Sequence, residues 1–206
     1  MNGFAGANPF ALATDALKFH HADPSFDWHT ITLETWAAEQ QLGSNLMGDR
    51  INNDNADFTK FRDHGGKMIT WQGTADSAIY YQQSMDLYRR GAALVGGYSD
   101  TQPWWRYYRA PGVGHCGGGA GPQPQDLFNV LVKWVENGVA PDRILSQGGA
   151  GTPTLTRPLC PYPERAVYSG RGSTDDWNNF ICSGNIETPA FNAQHLIQAK
   201  YKLETQ

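Results

Sequence analysis

The sequence predicts an α/β fold with a mostly parallel sheet and crossover helices, and three observations carry that expectation. Residues 67–71 and 104–109 are short β-prone runs separated and followed by stretches with helical spacing, so the chain reads strand, helix, strand, helix. Parallel strands joined by crossover helices produce that rhythm. Each run ends in turn chemistry, Gly73-Thr-Ala-Asp76 after the first and Pro111-Gly-Val-Gly-His-Cys-Gly-Gly-Gly119 after the second. Finally, Leu127, Phe128, Leu131, Trp134 and Val135 form a stripe that one helix face would bury, with Gly138 as its stop.

Taken in chain order, residues 1–56 read as irregular, with His20 and His21 adjacent and a helical patch from Leu33 to Leu46 that holds Trp36. Asp57 is placed as the N-cap of a short helix through Phe61 that ends at Gly65 and Gly66. A helix over residues 79–94 carries Tyr81, Met85 and Tyr88 at helical spacing and closes at Gly96 and Gly97. Another spans residues 125–137. From Leu155 onward, Arg157-Pro-Leu-Cys-Pro-Tyr-Pro163 is stiffened by proline and Asn179-Phe-Ile-Cys182 closes a polar loop. A Cys160 to Cys182 bridge is the natural reading of that tail, implying an oxidising compartment; two unrelated buried thiols are the alternative.

Composition narrows the classes. With 206 residues, 40% hydrophobic and 17% charged, and a net charge of -4, the chain is long enough for a core and too acidic for a nucleic-acid binder. Gly 23 and Pro 12 point to many ordered loops, where functional residues gather. No run of 18 apolar residues marks a membrane span, and no basic head with an apolar run marks a secretory signal. A signal for export would lie upstream of Met1. Cys116, Cys160 and Cys182 fit no zinc spacing, and one is left over whichever two pair.

Chemistry concentrates at Asp76 and His115. Each lies just past a strand, where open α/β sheets gather functional residues, so the two are expected to meet. Gly112-Val-Gly-His-Cys-Gly117 matches GxGxxG, but Pro122 and Pro124 push the next helix start to about Gln125, so no helix N-terminus faces a pyrophosphate. That disfavours a nucleotide-binding oxidoreductase. Cys116 as nucleophile is disfavoured because adjacent side chains on an extended loop point apart. The order acid then histidine is the second half of a serine, acid, histidine series, yet no serine here has glycine at both flanking second positions.

Together these motifs resemble the tannase and feruloyl esterase family of α/β-hydrolases. The resemblance rests on Gly65-Gly-Lys67, Gly73-Thr-Ala-Asp76, the histidine loop, Trp134-Val-Glu-Asn-Gly-Val-Ala-Pro-Asp142 and Arg157-Pro-Leu-Cys-Pro-Tyr-Pro163, in the family's order over residues 57–182. It implies the C-terminal part of an α/β-hydrolase fold preceded by the end of a lid region. Residues 1–50 are then the end of the lid and the return to the hydrolase domain, residues 51–182 the C-terminal half of that domain, and residues 183–206 an extension of unknown role.

The resemblance also implies roles. His115 is the general base of a secreted or periplasmic serine esterase, and Asp76 orients it. Cys160 pairs with Cys182, while Cys116 pairs with a cysteine directly before a nucleophilic serine outside this sequence. The expected substrate is an ester of an aromatic or phenolic acid, and the expected partner is the segment carrying the serine; neither nucleic acid nor membrane is expected. No cofactor is expected in this chain, because the family's lid calcium site falls outside it. Gln72 and Thr74 depart from the His and Trp common at these positions in the family, which bears on substrate choice. Trp71, Tyr80, Tyr81 and Trp104 are read as packing residues before substrate contacts, and His20, His21 and His64 as surface or structural. The reading from another class is a noncatalytic interaction module on a degenerate esterase scaffold.

Overall fold

Between Phe10 and Asp54 the chain is helical where irregular structure is expected. The computed structural model describes residues 10–186, which fall into two units, residues 10–54 and residues 55–186. In the first unit α1 spans Ala11–His20 and α2 spans Leu33–Ile51, extending the expected patch by more than a turn. A 3-10 turn, Trp28–Thr30, lies between them, started by the Asp27 carboxylate accepting from the His29 backbone. Thr32 and Thr35 form a reciprocal capping box that starts α2. The His21 ring meets Glu39 at 2.7 Å, tying the end of α1 to α2.

The second unit opens with α3, Thr59–Asp63, whose start is held by the Asp57 carboxylate accepting from the Thr59 backbone at 2.9 Å. β1, Met68–Gly73, follows and crosses over through α4, Tyr81–Val95, and the short α5, Tyr98–Thr101, into β2, Trp105–Ala110. The two strands pair in parallel, in register from Met68 opposite Trp105 to Gly73 opposite Ala110. β2 is buried on both faces, as a parallel strand requires. Trp105 and Tyr107 pack with Met85 and Tyr88 of α4, while Tyr108 and Ala110 on the opposite face pack with Val113, Ile144 and Leu159. Burial pushes the Tyr107 phenol up to about 12, and pushes those of Tyr88 and Tyr108 up as well, so all three are neutral hydrogen-bonding groups.

After β3, Gln123–Pro124, comes α6, Leu127–Asn137, which rests Leu127 and Val130 on the second face of the sheet and stops at Gly138, in the left-handed region at φ 70°. α6 begins well past the glycines of the histidine loop, so no helix N-terminus faces them. β4, Ile144–Gln147, β5, Thr156–Leu159, β6, Arg165–Tyr168, and β7, Phe180–Ser183, complete the described chain.

These later strands correct the expectation of a mostly parallel sheet. Among the described residues only β1 and β2 pair in parallel; β3, β4 and β5 form one antiparallel sheet and β6 and β7 another. The reason is connection length. A parallel pair needs a crossover, which α4 supplies, whereas β4 to β5 and β6 to β7 are joined by glycine-containing loops that turn straight back. Pro158 argues against a central strand, and β5 tolerates it because β5 is the edge of its sheet. A disulfide between Cys160 and Cys182, with Cα atoms 5.4 Å apart, ties the segment after β5 to β7. The expected C-terminal extension begins at Ser183, which belongs to β7, and from 187 onward it lies outside the described residues.

Candidate active site

The acid turn and the histidine loop leave the carboxyl ends of β1 and β2 side by side, because the two strands are parallel and in register. Backbone bonds stitch them together: Thr74 N–H donates to Ala110 O and Ala75 N–H to Val113 O, each at 3.0 Å. The Thr74 hydroxyl accepts from Gly112 N–H at 3.2 Å, a reason for a small hydroxyl residue there. Gly73 is required by proximity, since a Cβ at that position would collide with the Val113 carbonyl.

Within the loop, Gly114 N–H donates to Gly118 O at 3.1 Å and Gly121 N–H to Gly112 O at 3.0 Å. The Gln123 amide donates to the carbonyls of Gly118 and Gly121, at 3.0 and 2.9 Å, and closes the loop from β3. Cys116 adopts φ 57°, is exposed, and has no disulfide partner among the described residues.

His115 Nδ1 lies 3.1 Å from Asp76 Oδ2 and 3.2 Å from Oδ1, so the two sequence-selected residues form a hydrogen-bonded pair. An ionised carboxylate only accepts, so Nδ1 carries a proton, and in the neutral ring the lone pair is then on Nε2. The Asp76 side chain is 1% exposed and the His115 side chain 42%, which leaves one partner fixed and the other reachable. Asp76 Oδ1 accepts from the backbone N–H groups of Ala78 and Ile79, both at 2.9 Å, and Oδ2 accepts from Gln72 Nε2 at 2.6 Å. Burial pushes the Asp76 carboxyl upward, but the Ile79 N–H, the His115 ring and the Ala78 N–H outweigh it, and the net displacement is below the usual carboxylate value. Asp76 therefore stays ionised at neutral pH. A buried carboxylate holding a half-exposed imidazole in one tautomer leaves Nε2 free to take a proton from a hydroxyl presented to it.

The remaining candidates fall elsewhere. His21 meets Glu39, and His64 Nδ1 is 2.7 Å from the Lys60 carbonyl, as structural histidines do. Trp104 is buried, Trp71 and Tyr81 pack partly buried on the core, and Tyr80 is 59% exposed next to the acid turn. Among the described residues no three His, Cys, Asp or Glu side chains group as metal ligands, and no helix is long and apolar enough to cross a membrane. Gln72 enters the sequence reading only as a departure, although it makes the shortest of these bonds to the acid.

The profile described as "Tannase and feruloyl esterase" matches residues 4–183. The chain belongs to the tannase and feruloyl esterase family. It is 39% identical to mono(2-hydroxyethyl) terephthalate hydrolase of Piscinibacter sakaiensis, over 77% of this chain and 26% of that protein. Against feruloyl esterase C of Talaromyces stipitatus the identity is 33%, over 85% of this chain and 36% of the relative. The crystal structure of feruloyl esterase B from Aspergillus oryzae superposes with a TM-score of 0.74 at 26% identity, covering 85% of this chain and 38% of that one. Tannin acyl hydrolase from Aspergillus niger gives 0.65 at 26% identity, covering 77% and 30%. This family member thus spans between 26% and 38% of the length of these relatives.

Proposed function

We propose that this chain supplies the acid and base of a Ser-His-Asp triad in a secreted serine esterase acting on esters of aromatic or phenolic acids, and that the serine belongs to a segment outside this sequence. The observation that carries the reading is the Asp76 to His115 pair, a buried carboxylate at 3.1 Å from a half-exposed imidazole. The names of relatives, feruloyl esterase and tannase among them, supply the substrate class. In the reaction, serine attacks the ester carbonyl while His115 Nε2 takes the hydroxyl proton and then delivers it to the leaving alcohol. Asp76 holds Nδ1–H and steadies the imidazolium that forms. Cys116, exposed beside the base, pairs with a cysteine next to that serine and ties the segment on. The Cys160 to Cys182 bridge fits an oxidising location.

The test is reconstitution. Alone, the chain is expected not to hydrolyse methyl ferulate or methyl gallate. Co-produced with the serine-bearing N-terminal segment of a family relative, it is expected to do so, and His115→Ala or Asp76→Asn lowers kcat about 10⁴-fold. Hydrolysis unaffected by His115→Ala would overturn the assignment and favour a noncatalytic role for this scaffold. The sign of the pH effect follows from Asp76, whose folded value lies below its unfolded one. Its stabilising contribution is fully present above about pH 4 and is lost as pH falls from there through the folded value.

A further inference from the structure

We infer that Gln72 is a positioning residue for the His115 and Asp76 pair, locking the carboxylate in rotation by donating from Nε2 to Oδ2; the inference rests on the triad reading above. The carboxylate needs such a lock. Its Oδ1 is anchored by two backbone N–H groups, those of Ala78 and Ile79, which leaves Oδ2 to be held by side chains. His115 Nδ1 stands 3.2 and 3.1 Å from the two oxygens, a forked contact that selects neither. The Gln72 donor at 2.6 Å is the shortest of the five contacts and the one directed at Oδ2 alone. Since Asp76 is almost wholly buried, water has little access to substitute for it.

Gln72 is itself well aimed. It sits one residue before the end of β1, four before Asp76, in register with Arg109 of β2, so the sheet fixes its backbone. Nε2 also faces the Ile79 carbonyl at 3.3 Å. Both neighbours, a carboxylate oxygen and a carbonyl oxygen, are acceptors, so the amide must turn its NH₂ toward them and both protons are used. A glutamine is neutral at every pH, so the lock adds no charge of its own beside Asp76.

The experiment is a ¹³C and ¹⁵N NMR titration of the labelled chain, following the Asp76 carboxyl and the His115 ring nitrogens in wild type, Gln72→Leu and Gln72→Met. Losing a charge-assisted donor is expected to raise the Asp76 midpoint by about one unit, roughly tenfold in its protonation constant. The His115 Nδ1–H signal is expected to broaden in both variants, and the thermal midpoint to fall by a few degrees at neutral pH, because raising the folded Asp76 value removes part of the stability it contributes. Gln72→Met keeps the length and neutrality of the side chain and removes the donor, so the inference stays testable if Gln72→Leu folds poorly. Unchanged Asp76 midpoints in the folded variants overturn it and leave Gln72 as packing. Asp76→Asn separates the two claims: if it leaves the His115 nitrogens unmoved, the pair itself is refuted, whatever Gln72 does. In the reconstituted enzyme the same variants are expected to lower kcat about tenfold with KM unchanged, whereas a KM effect alone contradicts a role through Asp76.

Discussion

Helices α2 and α4 are both long and are held by different physics. α2 has 19 residues and buries none of them, resting on its threonine capping box, on local pairs such as Gln41 with Asn45 at 2.7 Å, and on the Glu39 contact with His21. α4 has 15 residues, makes no side-chain cap, and buries Met85, Tyr88, Gly91 and Ala92 against the parallel strands. The first is specified by its ends, the second by its face. The candidate site sits in the two loops that leave β1 and β2, the strands that α4 packs against, so it is positioned by elements of the second kind.

The largest test of that contrast is in the core. Trp105 is 1% exposed, donates from Nε1 to the Thr70 hydroxyl at 2.9 Å, and meets Phe58 and Tyr88 edge-on with ring centroids 5.0 Å away. Trp105→Ala is expected to cost about 3–5 kcal/mol in denaturant unfolding, while Trp36→Ala on α2, at 51% exposure, changes stability by about 0.5 kcal/mol or less. Equal effects would erase the distinction between the regions. Next in size is the disulfide: with a separation of 22 residues, replacing Cys160 and Cys182 by alanine is expected to cost about 3 kcal/mol by the chain-entropy account. An unchanged urea midpoint would show that β5 and β7 are held by their own pairing.

The same contrast explains what could be read from the chain alone. β1, α4 and β2 are legible because their apolar spacing is imposed by a shared core, and the ends of β1 and β2 bring Asp76 and His115 together as their positions suggest. α6 forms as expected, but its predicted buried stripe does not hold, since Phe128 and Val135 are exposed and only Trp134 is fully buried. α1 is not legible, because a helix that buries nothing leaves no stripe to find. β5 hides behind Pro158, and β6 and β7 are four-residue strands, too short for alternation to register. Gln72 is missed for another reason. A neutral amide carries no charge or motif, and only its aim at Oδ2 reveals what it does.

The smallest expected effect sharpens the comparison most. In α2 the Thr32 hydroxyl accepts from Thr35 N–H at 3.3 Å and the Thr35 hydroxyl from Thr32 N–H at 2.9 Å, so Thr32→Ala removes half of the box. The expected cost is about 1 kcal/mol, confined to the first turn and seen as roughly fivefold faster amide exchange there. Thr32→Ser should restore protection, because the hydroxyl and not the methyl makes the cap. The amides of β1 and β2 should not respond in either variant. A helix specified by its ends frays from its end; if exchange instead accelerated along all of α2 and in the parallel strands together, local capping would be the wrong account of how residues 10–54 are held.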